Sequence, residues 1–295
     1  MTQRFFKRIV RVTALRENVP PNPTKFVLER TASSLEITDL RVRFKIHRAH
    51  TKHPNQCDII ITNLATASRT NLETKPLMVQ LQAGYENDAL RLLYTGDLRF
   101  GMTEQKHPDW ETLMQLGDGD CTHRWSRVNK SYAPGTSVRT ILRDCSRSMG
   151  LELPKDLAKD KSLDRSFAAG RTSHGPSREE MTKLLAPFGY TYSIQNGVLQ
   201  VLRADQAADR TAIPIGEEFG MIGTPQFGSP PKSGKPPHMT ISMLLYPELL
   251  PGHLVQLTSK VKNGLFRIET VRHEGDTHGT GVQSWTTQIE IKPAA

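Results

Sequence analysis

In the segment LEITDLRVRFKI, the apolar residues Leu40, Val42, Phe44 and Ile46 alternate with Arg41, Arg43 and Lys45. A period of two predicts a half-buried strand with a basic outer face. Residues 1–125 hold further short runs of this kind: IVRVTAL, CDIIITNL, LMVQLQAGY, LRLLYTGDLRF and WETLMQLGD. The turn-rich pieces NVPPNPT, HTKHPNQ and QKHPD separate them. Many short strands with regular breaks predict a barrel or sandwich.

The period changes in residues 126–211. Val138, Ile141, Leu142, Cys145 and Met149 recur at helical spacing, with Thr136 as N-cap and Gly150 beyond the end. A second helix follows in PSREEMTKLLAPFG, with Ser177 and Glu180 as a capping box and Gly189 as its stop. The intervening KDLAKDKSLDRSFAAGRTSHG reads as loop with one irregular turn. Asn196-Gly197 between alternating residues predicts a tight hairpin. Two helices and a hairpin make a small α+β domain. Residues 212–295 return to β, with hairpins expected at Asn263-Gly264 and across the loop before SWTTQIEIK. Residues 220–238, rich in Pro and Gly, read as a long exposed loop that could contact a partner.

The chain has 295 residues and a formal net charge of +9. The excess lies in the middle, where residues 121–211 hold 15 Lys/Arg against 9 Asp/Glu. It is spread out, which favours a solvated or partner-facing surface over a nucleic-acid patch. No apolar run approaches the ~18–20 residues of a membrane helix, and the N-terminus lacks the continuous apolar region of a signal peptide. The three cysteines, Cys57, Cys121 and Cys145, include no CxxC, which predicts reduced thiols in a protein made in the cytoplasm.

Four groups of residues raise the question of chemistry. His273, Glu274, Asp276 and His278 crowd one short stretch, as a metal centre or acid/base site would. Gly275, Gly279 and Gly281 puncture that stretch, and alternating strands flank it, so a hairpin tip is expected. It should return Trp285 and Ile289 to the same barrel as Phe266 and Ile268. Asp97, Asp109, Asp118 and Asp120 sit at strand ends and are expected to make turns, with no two placed as a glycosidase pair. No G-x-S-x-G surrounds Ser68, Ser131 or Ser177. Cys57 and Cys145 lie in apolar contexts, where a thiol is inert. No catalytic, cofactor or metal residue is therefore assigned, and no enzyme is expected. Two alternatives remain. One is a peptidoglycan hydrolase or metal-dependent enzyme using His273, Asp276 and His278. The other is a basic nucleic-acid-binding module.

Several segments in order carry a resemblance: ITNLATASRTNLE, VQLQAGYENDALRLLYTGDL, DWETLMQLGDGD, VNKSYAPGTSVRTILRDCSRSMGL and ISMLLYPELLPGHLVQLTSKVKNGLFRIETVRHEGDTHG. Together they resemble the baseplate hub proteins of contractile phage tails, over most of the chain. The resemblance implies a mostly β fold with an α+β insert: tail-tube-like β-barrels at 1–125 and 212–295 flanking a small α+β domain at 126–211. It implies a homotrimer, so that three chains with two barrels each match a six-fold tail tube above a three-fold spike. The implied partners are the tail tube ring, the trimeric spike, other baseplate proteins and the tape measure protein. DNA would pass through the channel without specific binding, and the location would be the virion baseplate, assembled in the host cytoplasm. Tight phosphate contacts would oppose sliding DNA. Arg41 and Arg43 are accordingly expected on an outer or subunit-facing side, meeting acidic groups of a neighbouring chain.

Overall fold

The computed structural model describes residues 7–16, 35–73, 77–86, 88–203, 206–208, 211–228, 238–281 and 284–294. The first segment holds strands β1 (Arg8–Arg16), β2 (Leu35–Ile37), β3 (Val42–Ala49), β4 (Gln56–Thr62), β5 (Leu77–Tyr85), β6 (Arg91–Lys106) and β7 (Asp109–Gly117). Helix α1 (Thr66–Glu73) follows β4, and α2 (Asp120–Trp125) follows β7. The middle holds β8 (Arg127–Tyr132), α3 (Val138–Ser148), α4 (Lys155–Lys159), β9 (Arg171–Pro176), α5 (Ser177–Leu185), β10 (Tyr190–Gln195) and β11 (Val198–Arg203). The last segment holds β12 (Ile213–Gly216), β13 (Met221–Phe227), β14 (Met239–Leu244), β15 (Leu254–Thr258), β16 (Gly264–Asp276) and β17 (Trp285–Pro293).

The fold is mostly β, as expected, but two separate closed barrels are not what the strands form. Thirteen described strands join one open sheet, in the order β13-β14-β17-β16-β3-β4-β7-β6-β5-β1-β2, with β15 and β12 branching from β16. The merger happens at β16. One of its edges pairs with β17 throughout. Its other edge pairs first with β15, through Gly264 to Arg267, and then with β3, through Thr270 to Asp276. A register irregularity between Ile268 and Thr270 marks the changeover. Nothing local in the sequence encodes a pairing between residues more than 200 positions apart, which is why the β regions read as independent.

Buried apolar side chains form three groups. The first gathers the inward residues of β1 to β7, among them Val42, Phe44 and Ile46, whose strand shows the expected alternation. The second fills the middle segment around Ile141, Leu142, Met181 and Leu184. The third gathers Ile215, Ile241, Val255, Phe266, Ile268 and Ile289. Trp285 was expected with Phe266 and belongs instead to the first group. It meets the Phe44 ring edge-on at 5.3 Å between centroids.

Helix ends differ in detail from the reading of the sequence. Ser137, not Thr136, caps α3, its side chain accepting from the Thr140 N–H. The Ser177/Glu180 capping box does not form, because Glu180 takes Arg171 and Lys183 at 2.9 and 3.0 Å while Ser177 Oγ meets Ser148 Oγ at 2.7 Å. The segment expected to be loop also contains α4 and β9. The Asn196-Gly197 turn is as expected: both residues have positive φ, 52° and 77°, between the paired Gln195 and Val198. Residues 259–263 link β15 to β16, so the second hairpin has a longer loop than its Asn-Gly suggested. Of the expected 220–238 loop, Met221–Phe227 is an edge strand on β14, and residues 229–237 lie outside the described residues, as does NVPPNPT.

Candidate functional site

Strand alternation separates the polar groups of the 273–278 stretch. His273 points into the sheet at 0% exposure, Glu274 points out, and Asp276 ends the strand. His273 Nδ1 lies 2.9 Å from Thr287 Oγ1. Burial, then the Arg48 charge, lower its pKa to about 3, so the imidazole is neutral. Arg41 grips Asp276 with two hydrogen bonds of 3.0 and 2.6 Å, which chiefly hold that carboxyl below its usual range. His278 is exposed, and its ring faces Thr277 Oγ1 at 3.0 Å. The three groups do not converge. Among the described residues, no three His, Cys, Asp or Glu side chains are grouped to hold a metal.

An arginine from the other end of the chain organises this loop. Arg8 Nη1 donates to the carbonyls of Asp276 and Gly279 at 3.1 and 2.6 Å and to Ser284 Oγ at 2.7 Å. Its Nη2 donates to the Gly281 carbonyl at 2.8 Å, and its guanidinium stands over Trp285. The loop is thus a socket for one guanidinium, which ties β1 to the β16–β17 connection.

The basic face of β3 finds acidic partners within the same chain. Arg41 pairs with Asp276, Arg43 with Glu111, and Lys45 with Glu274 at 3.7 Å. Arg43, Lys45, Glu274 and Asp276 from these pairs line a groove of about 300 Å³ over the β3–β16 seam, together with Ile60 and Leu113.

Arg48 does not share that face. It falls on the apolar phase of the strand and is buried at 0% exposure. Its Nη2 donates to the Leu93 carbonyl at 2.5 Å and to Asn196 Oδ1 at 2.6 Å. Asp118, also 0% exposed, accepts the Asn196 and Gly197 N–H groups at 2.6 and 2.9 Å. Burial pushes Asp118 up to about 6, against the pull of Arg48 and those two amides. Asn55 Nδ2 donates to Ile194 O and Gln195 Oε1, both at 2.9 Å, and Gln195 Nε2 reaches Ala49 O. A buried polar joint therefore clamps the β10–β11 turn onto the first core. The sequence held one signal for it: Arg48 continues the inward series Val42, Phe44, Ile46.

Most of the remaining candidates have partners within the chain. Asp97 accepts the Cys121 N–H, Asp109 accepts from Asn63, and Asp120 pairs with Arg99 and Arg124. Ser131 Oγ meets Thr172 Oγ1, and Ser68 lies on α1. Burial pushes the Cys145 thiol up to about 12 and raises Cys57 further. Such thiols are not nucleophiles. Cys121 is exposed. The contacts of Asp97, Asp109, Asp120 and Ser131 fix parts of the chain to one another.

Structures with this architecture are known. A tail protein from Neisseria meningitidis MC58 superposes with a TM-score of 0.61 at 10% identity, covering 97% of each chain. The 43 kDa tail protein of prophage MuSo2 from Shewanella oneidensis gives 0.61 at 8% identity, covering 98% of this chain and 97% of that one. The E. coli c3393 protein gives 0.57 at 13% identity, covering 87% and 74%. It is described as a type VI secretion component structurally similar to T4 tail proteins gp27 and gp5. At such identities the likeness is one of fold. No curated protein matches the chain. The family model for baseplate hub gp41 matches residues 26–270, so the chain belongs to the baseplate hub gp41 family.

Proposed function

We propose that this protein is a structural baseplate hub that assembles as a trimeric ring, adapts a six-fold tail tube to a three-fold spike, and performs no chemistry. The observation that carries this reading is the single sheet that fuses two β cores through β16. One chain then contributes two rigidly coupled tube-like units, and three chains contribute six. The three core groups support a division into tube-like units at 1–125 and 212–295 and an α+β domain at 126–211. The partners are a second and third copy, the tail tube ring, the spike, other baseplate proteins and the tape measure protein. DNA passes through the central channel without specific binding. The neutralised charges of β3 fit that role, since they leave few free cations for phosphate. The protein resides in the virion baseplate and assembles in the host cytoplasm.

Cryo-electron microscopy of the native particle tests this reading. Three copies should sit between a six-fold tube and a three-fold spike. Light scattering on the isolated ring should give three times 33.1 kDa, about 99 kDa. Six copies, or a position remote from the tube axis, would refute it.

A further inference from the structure

Trp125, the last residue of α2, is 75% exposed, the highest value among the exposed large hydrophobic side chains of the described residues. Its neighbours are cationic. Arg124 is exposed and pairs with Asp120 at 2.9 Å. Arg127 is exposed and donates through Nη1 to the carbonyls of Arg124 and Ser126 at 2.8 and 3.0 Å. Arg178 Nη1 donates to the His123 carbonyl at 2.8 Å, and its Nη2 lies 3.6 Å from Glu179. The exposed Lys52 and His53 adjoin from the β3–β4 connection: His123 hydrogen-bonds to the Lys52 backbone, and His53 lies close enough to interact with it. Four permanent cations thus stand against two carboxylates, one of which, Asp120, is buried and shared with Arg99.

An indole in water with fixed guanidiniums beside it has the anatomy of a binding hot spot, where Trp and Arg are enriched. The hydrogen bonds of Arg127 and Arg178 to backbone carbonyls already restrict those side chains, so little rotamer freedom remains to be lost on association. Duplex or single-stranded nucleic acid fits less well. Two of the four cations already face carboxylates, which leaves few free phosphate contacts.

We propose that Trp125, with Lys52, Arg124, Arg127 and Arg178 around it, docks an acidic segment of a different protein in the assembled particle. The proposal rests on the hub reading above. The indole fills an apolar hollow in the partner, and the cations meet carboxylates around it.

The test places photo-reactive p-benzoylphenylalanine at position 125 in assembled particles, followed by irradiation and peptide mass spectrometry. The expected product joins position 125 to a net-acidic stretch of another particle protein. Products with a second copy of this chain, with DNA, or with nothing would overturn the proposal. If the chain is absent from particles, the hub reading falls and this one with it. If the chain is present but captures no acidic partner, only the docking surface falls. The captured stretch, made as a synthetic peptide, is then titrated against purified variants. Trp125→Ala should weaken binding about 30-fold, the loss typical of a hot-spot residue, and Lys52→Glu should weaken it and flatten its salt dependence. Both variants should keep the wild-type unfolding midpoint, since both side chains are exposed. Unchanged binding in Trp125→Ala would overturn the assignment.

Discussion

Replacing Gly275 by alanine probes the seam between the two β cores. Gly275 pairs with Phe44 on β3 and with Trp285 on β17. A Cβ built there would meet three Phe44 ring atoms, and even the farthest, Cε2, would be 2.9 Å away. Real carbon contacts do not approach that closely, so the ring must move. Phe44 is buried and already packs edge-on against Trp285, which is buried too. Overpacking of this kind costs about 1–3 kcal/mol. The opposing effect is the smaller conformational freedom of alanine in the unfolded chain, worth about 0.4–1 kcal/mol where the backbone permits it. The net expectation is a loss of roughly 1–2 kcal/mol. Denaturant unfolding followed by tryptophan fluorescence reads it, with Phe44→Leu as second site. In the Phe44→Leu background the alanine should cost much less, because the smaller side chain leaves room for the methyl. A Gly275→Ala variant as stable as wild type, or one with the same penalty in both backgrounds, would refute the steric account.

Other perturbations have equally direct readouts. Arg8→Met should remove the socket's four donated hydrogen bonds, and hydrogen exchange should report lost amide protection at residues 277–281. His273 is neutral when folded, with a pKa lowered to about 3 against ~6.5 unfolded, so its contribution is intact above ~6.5 and is lost as pH falls towards 3. The upper bound of that loss is roughly 5 kcal/mol at 1.36 kcal/mol per unit. Asp118, raised to about 6, works in the opposite sense, gaining stability as pH falls from about 6 towards its unfolded value. His273→Gln should therefore flatten the acid limb of the stability profile, and a His273 imidazole that titrates near 6.5 by NMR would contradict its burial. Asp118→Asn turns an acceptor into a donor facing an N–H group and should cost about 1–3 kcal/mol, with lost amide protection across β10 and β11.

What the sequence disclosed was local. The alternation of Val42, Phe44 and Ile46 with Arg43 and Lys45 was readable because a strand's period is short, and Asn196-Gly197 because a tight turn needs positive φ at both residues. What it withheld was partnership. Glu180 suited a capping box until Arg171, on a strand absent from the reading, offered a stronger contact. Trp285 sat next to its own hairpin in sequence, yet Phe44 reaches it across β16. The charges of β3 are expected from the sequence on an outer or subunit-facing side, away from sliding DNA, whereas the sheet brings Glu111, Glu274 and Asp276 of the same chain alongside them. The His/Asp/His stretch reads in sequence as an exposed hairpin tip, but His273 to Asp276 belong to β16, with His273 buried, and the connection begins only at residue 277, where an arginine from residue 8 holds it.

Because β16 serves both cores with a single backbone, no linker separates them that could act as a hinge. Tension along the strand axis would load the seven β3–β16 residue pairs together, in shear, and would not open them one after another. A ladder strained in that direction resists far more than one peeled from its end. The cores should thus respond to a pull as one stiff beam, and the first part of the chain to yield should be a peripheral strand such as β2 or β13, each paired on one side only among the described residues.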